Sequence, residues 1–353
     1  MYAVLLFTGC AAVPQENMQT EEIRESEITV ETENISEHES LCETAAPERE
    51  PTTEIPPETI PETAEFIPPS GTDDQPTETD TSAETELLSM PELPWNLHTN
   101  ITDPAAAYIL LEIYETVSSA MDAGIYFTDV QEEYWFGIGE EKWYHTASTV
   151  KPVYCQYLLD AGVDPDTEIT LRHVSRTSTT GKLTWESIGT VFTVGELMEY
   201  SIRDSDNQAH RLLYETFGIK DYNRYVAKFG SGGLPMDEIY EWANVTPKKL
   251  SRVMVEIHRY GEQNSILIDH MKNTTHNSQI PAGTKYETAH KYGTNGGTDG
   301  YHDTAIVYAP ERAYVLTIMT KIDPERTKDP DAVFRNAAEL CDELHGILFL
   351  KEK

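Results

Sequence analysis

A break in composition near residue 95 decides how much of this chain can fold. Residues 11–95 hold 23 Asp or Glu against only Arg24 and Arg49, a net −21 out of −35 for the whole chain. Text such as "ETAAPEREPTTEIPPETIPETAEF" is Thr, Glu and Pro with few apolar side chains. Such a segment cannot bury enough surface to offset its ordering entropy, and its repelling charges and prolines favour extension. Residues 11–95 are therefore expected to be a disordered acidic spacer. The acidic balance also argues against nucleic acid as a partner.

Ahead of the spacer stands "MYAVLLFTGC", an apolar run of nine residues ending at Cys10. It is too short to span a bilayer. Its end, "LFTGC", resembles a bacterial lipobox, in which cleavage leaves an acylated cysteine. That resemblance implies a signal segment over residues 1–10 and a lipid on Cys10. A folded domain would then be held off the extracytoplasmic face of the cell membrane, or secreted. The run lacks the Lys or Arg that normally precedes a secretory signal, which a start codon placed too far downstream would explain. The four cysteines, Cys10, Cys42, Cys155 and Cys341, show no C-x-x-C spacing, and no H-E-x-x-H is present. No disulfide framework, metal or organic cofactor is expected. Cys155 and Cys341 sit in apolar helical text and read as core residues.

The folded domain is expected over residues 96–353. Asp103 and Pro104 open a helix with its stripe on Leu110, Ile113, Tyr114 and Val117. "GIYFTDV" and "EYWFGIG" read as strands. Helical text follows from Ser148 to Asp160, from Thr193 as a cap, and through "QAHRLLYETFG", "DYNRYVAKFG" and "TPKKLSRVMVEIHRYG". Three more strand patterns, "TKYETAHKYG", "HDTAIVYA" and "AYVLTIMT", precede a last helix with Val333, Ala337, Leu340 and Leu344 on one face. Strands gathered at both ends around a block of helices imply an α+β fold. One antiparallel sheet of about five strands would be packed on helices, with a mainly helical subdomain inserted.

Three short motifs run through this domain in order: Ser148-Thr149-Val150-Lys151, Ser205-Asp206-Asn207 and Lys291-Tyr292-Gly293. Positions i and i+3 of a helix share a face, so Ser148 and Lys151 present a hydroxyl beside an amine. A serine hydroxyl becomes a nucleophile when a base takes its proton, and a lysine serves if desolvation and nearby cations lower its pKa. Taken singly, each motif also has a plain structural reading: a helix start, a capping turn and a solvated strand lysine. Together the set S-x-x-K, S-D-N and K-x-G resembles class A β-lactamases and penicillin-binding proteins. The flanking "TVGELMEYSIRDSDNQAHRLL" and "IPAGTKYETAHKYGTNGGTDGYHDTAIVY" are similar to class A segments. A second K-x-G, at Lys228-Phe229-Gly230, ends an amphipathic helix with Gly230 as a cap, so Lys291 is preferred.

The resemblance implies a β-lactamase/DD-peptidase-like fold over about residues 104–348. It implies a serine hydrolase acylated at Ser148, with Lys151, Ser205 and Lys291 as the other catalytic residues. Ser205 would pass the proton to the leaving nitrogen, and Lys291 would hold Ser205 and attract the substrate carboxylate. Asn207 would contact Lys151 and the substrate, and Asp206 would cap backbone behind the site. Tyr292, Gly293 and Thr294 would line the substrate strand, with the N–H groups of Ser148 and Thr294 facing the oxyanion. Two departures bear on function. The family's E-x-x-x-N loop, whose glutamate activates the deacylating water, corresponds to "GSGGLPMDEIYEWANVTPKK". There Glu241 and Asn244 are three apart rather than four, and Glu238 has no matching asparagine. Tyr292 stands where the family has Thr or Ser, a small hydroxyl that helps bind the carboxylate. A β-lactamase, a D-alanyl-D-alanine carboxypeptidase and a non-hydrolysing sensor or scaffold all stay open, with β-lactams, D-alanyl peptides or peptidoglycan as partners of a monomer.

Overall fold

In the computed structural model the described residues are 89–120, 122–173, 181–236, 242–261, 266–295, 300–321 and 328–350. They belong to one compact unit, Thr81–Lys353. Cys10, the acidic segment up to residue 88, and Glu238 and Glu241 lie outside the described residues.

In chain order the elements begin with β1 (Leu97–Thr99), α1 (Pro104–Ala120), β2 (Asp122–Asp129), β3 (Trp135–Ile138) and β4 (Tyr144–His145). A 3₁₀ turn, Ala147–Val150, then leads into α2 (Lys151–Asp160), β5 (Glu168–Thr170), β6 (Val191–Thr193) and α3 (Val194–Arg203). Next come α4 (Asn207–Phe217), α5 (Lys220–Ala227), β7 (Asn244–Val245), α6 (Pro247–Gly261), α7 (Ile266–Lys272) and α8 (Ile280–Gly283). The chain closes with β8 (Thr288–Asn295), β9 (Gly300–Val307), β10 (Tyr314–Lys321) and α9 (Pro330–Phe349).

Six strands form the main sheet in the order β1-β3-β2-β10-β9-β8, every pair antiparallel. The two ends of the chain meet at the β2–β10 pair, with Ile125 opposite Ile318. The sixth strand is β1, whose three residues are too short to show an alternating pattern in the sequence. Strand β8 begins at Thr288, four residues later than the strand text suggests, because Ile280–Gly283 is a helical turn and Thr284 follows it.

Alternation along β10 divides the core. Tyr314, Leu316 and Ile318 face α1 and α9, where they meet Leu110, Ile113, Phe334, Ala337 and Leu344. Val315 and Met319 join the other core, which includes Leu250, Val253 and Met254 of α6. Cys155 and Cys341 are free and fully buried, one in each core.

The helical insertion is organised around α2, whose residues Lys151 to Leu159 are all buried. A helix without a polar face belongs inside a protein. Local signals fix the surrounding helices. Asp103 Oδ1 accepts the Ala105 and Ala106 N–H groups of α1 at 2.9 and 3.2 Å. Thr193 and Glu196 form a reciprocal capping box on α3. These caps satisfy N–H groups that the helix itself leaves unpaired.

Candidate active site

The segment before the first motif is held in an uncommon backbone conformation. Ala147 has φ +45°, the left-handed region that disfavours any residue with a Cβ. Its N–H donates to His145 Nδ1 at 3.0 Å, and Asn295 Nδ2 reaches the same nitrogen at 3.1 Å. Two donors at Nδ1 require a neutral imidazole with its proton on Nε2. Burial keeps it so by pushing the His145 pKa below the ordinary value. His302 braces the same residue: its Nε2 donates to His145 O at 2.9 Å while its Nδ1 accepts Thr320 N–H at 3.1 Å. Burial drives the His302 pKa down to about 4, so this imidazole too is neutral. Behind the turn, Thr146 O accepts the Thr149 hydroxyl at 2.6 Å, and Thr146 Oγ1 accepts Ala243 N–H at 3.1 Å. Strain kept in place by so many contacts is a common property of functional turns. Ser148 is half-buried on this turn and Lys151 comes one turn later at the start of α2.

Lys151 has no exposed surface. Its Nζ donates to Ser205 O at 2.6 Å and Asn207 Oδ1 at 2.7 Å, and lies 3.3 Å from Ser205 Oγ. The Trp242 ring is 5.6 Å from the ammonium, in cation–π range. Trp242 also stacks on His210 and leans on His145, so its ring links the β7 side of the site to the Ser148 turn.

The second motif sits at the entry to α4. Ser205 has φ +56° and is nearly buried. Asp206 caps α4, accepting Gln208 and Ala209 N–H groups at 2.8 and 3.0 Å, and its second oxygen accepts Leu183 N–H at 2.8 Å. That placement matches the capping role expected from the sequence. Gly181, at φ +106°, gives Asp206 room, since a Cβ there would fall 2.1 Å from the Asp206 carboxyl carbon. With its neighbour fully used as a cap, Ser205 is left facing the lysines.

The third motif lies on β8. Lys291 is fully buried and its Nζ donates to Ser205 Oγ at 3.1 Å and Tyr292 O at 2.9 Å. Desolvation, followed by the charge of Lys151, drives its pKa well below the ordinary lysine value, with Asp303 opposing. The Tyr292 ring packs 3.9 Å from the Lys291 ammonium and 4.3 Å from the His276 ring. Burial raises the Tyr292 pKa, and a hydrogen bond from the Ser205 side chain partly offsets this. Gly293 backs directly onto the Ser148 turn: a Cβ there would stand 2.9 Å from Ser148 N and 3.1 Å from Thr149 N. Thr294 is the next residue on the strand and is exposed.

The tertiary structure thus gathers the three motifs into one cluster, two amines sharing a serine hydroxyl beside a second serine on a strained turn. The rival Lys228-Phe229-Gly230 lies at the end of α5, where Gly230 has φ +81° and its carbonyl accepts Lys249 Nζ at 2.6 Å. His145, His276, His302 and Trp242 were not legible in the sequence, because only chain folding brings them to the motifs. Ala147 carried no signal either, since alanine gives no hint of positive φ.

The beta-lactamase enzyme family matches residues 110–344. No curated protein matches the sequence. Among solved structures, a PBP-A mutant in acyl-enzyme complex with penicillin G superposes with a TM-score of 0.60 at 22% identity, covering 68% of this chain and 97% of that one. A class A β-lactamase from Mycobacterium abscessus gives 0.57 at 19% identity, covering 67% and 98%. A β-lactamase from Xanthomonas campestris pv. campestris gives 0.58 at 19% identity, covering 68% and 98%. At these identities the likeness is one of fold, and it agrees with the α+β architecture. The family match spans most of the described fold and all three motifs, and on it the chain belongs to the beta-lactamase enzyme family.

Proposed function

We propose that the protein is a serine hydrolase that forms an acyl-enzyme at Ser148 with β-lactams or with D-alanyl peptides of the cell wall. The observation carrying this reading is the convergence of Lys151 and Lys291 on Ser205 Oγ, with Lys151 one turn along the chain from Ser148. The Ser148 oxygen bonds to the substrate carbonyl carbon as Lys151, in its neutral form, takes the hydroxyl proton. The carbon–nitrogen bond then breaks and the proton passes through Ser205 to the leaving nitrogen. Backbone N–H groups of Ser148 and Thr294 stabilise the oxyanion, a contribution of about 3–4 kcal/mol for each such donor. Asn207 holds Lys151 and offers its amide to the substrate.

The fate of the acyl-enzyme separates a β-lactamase from a peptidase or sensor. Glu238 and Glu241 lie outside the described residues, and the Trp242 ring lies against Lys151. The text before α6 lacks the family's E-x-x-x-N spacing, Glu241 and Asn244 being three apart, which favours slow deacylation and a penicillin-binding peptidase or sensor. Intact-protein mass spectrometry of the full chain with excess penicillin G, sampled over time, tests both points. A whole-penicillin adduct in the wild type and none in Ser148→Ala is expected. A lasting adduct supports the peptidase or sensor, whereas a short-lived one with released hydrolysed penicillin supports a β-lactamase. Absence of both adduct and hydrolysis would refute the acyl-enzyme.

For location, we propose a monomer whose Cys10 carries lipid and tethers the domain to the extracytoplasmic face of the membrane. Incorporation of a clickable fatty acid into the wild type in cells, and none into Cys10→Ser, is the expected result.

A further inference from the structure

Lys291 occupies the position from which a cation would attract the substrate carboxylate, yet its hydrogens are taken up inside the protein. An ammonium has three N–H groups. Ser205 Oγ at 3.1 Å and Tyr292 O at 2.9 Å account for two. The face of the Tyr292 ring, 3.9 Å away, receives the third as a cation–π partner. No surface of the side chain is exposed. The ring itself is fixed in place. His276 packs on it at 4.3 Å with the planes tilted by 36°, His276 Nε2 lies 3.1 Å from Ser278 Oγ, and Ser205 bonds to the phenol. A Thr or Ser at this position would add a small hydroxyl beside the ammonium, whereas the phenol ring lies across it.

We propose that Tyr292 is a specificity-determining residue that withdraws Lys291 from carboxylate recognition. The protein therefore accepts acyl donors with an uncharged ester or amide beside the scissile bond at least as readily as the free acids. This deepens, and rests on, the acyl-enzyme reading above. The covalent step is unchanged: the Ser148 oxygen bonds to carbon, the amide bond breaks, and the proton ends on the leaving nitrogen.

Benzylpenicillin and its methyl ester share one β-lactam ring and differ only at the carboxylate. Their rates of acylation of the full chain, read by intact mass, give an acid-to-ester ratio. A ratio of about 1 or less is expected for the wild type and for Tyr292→Phe, which keeps the ring. Tyr292→Thr should raise the ratio by roughly 10- to 100-fold, the worth of one charge-assisted contact. A wild-type ratio of about 10 or more, on the same scale, overturns the proposal even if Tyr292→Thr does not fold. So does a folded Tyr292→Thr protein whose ratio stays at the wild-type value. Labelling by both compounds with a preference for the acid defeats this inference alone. Labelling by neither defeats the acyl-enzyme reading with it.

Discussion

Ala147 and Ser205 are non-glycine residues at φ +45° and +56°, the first beside Ser148 and the second facing both lysines. Each such residue costs roughly 1–3 kcal/mol, which the surrounding hydrogen bonds must offset. Their geometry leaves almost no slack at Gly293, where β8 backs onto the Ser148 turn. Gly293→Ala would place a methyl 2.9 Å from Ser148 N. The turn must then shift, and a displacement near 1 Å at a reacting group costs about 100-fold in rate. We expect Gly293→Ala to fold with a stability loss of about 1–3 kcal/mol and to be acylated by penicillin about 100-fold more slowly. A folded variant acylated at the wild-type rate would show that the turn has more freedom than these contacts allow. The motif residues themselves could be read from the chain because their spacing is local. The need for glycine at 293 became quantitative only when the facing backbone was known.

Strands β4, β9 and β10 are tied together by one imidazole. His302 on β9 donates to His145 of β4 and accepts from Thr320 of β10. Its folded pKa of about 4 lies below the ordinary histidine value of 6.5, chiefly through burial, with nearby His145 also lowering it. Between those two pH values the unfolded chain binds a proton that the folded chain refuses. The stability contributed by neutral His302 is therefore complete above pH 6.5 and is lost as pH falls toward 4. The full loss is on the order of 3 kcal/mol. Thermal melts from pH 7 to pH 4 should fall more steeply for the wild type than for His302→Gln. Equal slopes would mean that another group governs acid unfolding. Elements with strong periodicity, such as α1 and β10, stood out in the sequence, whereas three-residue β1 did not, for lack of length.

On the scale of the whole molecule, two buried amines facing one serine are a liability to the fold. Lys291 is desolvated and repelled by Lys151, so its charged form is disfavoured. Replacing buried charge by an apolar side chain of similar length often stabilises a protein by about 1–3 kcal/mol. Lys291→Met is thus expected to melt at a higher temperature than the wild type while losing acylation by at least ~100-fold. The stability gap should narrow as pH rises toward the ordinary lysine value, where the unfolded chain also gives up its proton. A lower melting temperature with acylation retained would assign Lys291 to the fold rather than to the site.

Though the short strands β1 and β4–β7 and the helices α7 and α8 were not legible, from sequence alone came the order of the long helices and strands, the helix caps at Asp103 and Thr193, and the three motifs. All of these depend on neighbours within a few residues, and local sterics and periodicity act at that range. The family resemblance also pointed to Asp206 as a cap, and its contacts with Gln208 and Ala209 are local, whereas that with Leu183 is not. Motif context already favoured Lys291 over Lys228, but only folding carries Lys291 to Ser205, 86 positions away in the chain. Folding also decided that Tyr292 lies across that lysine and that His276 and Trp242 border the cluster. Contacts between distant segments depend on how the sheet and helices pack, and no local pattern encodes them.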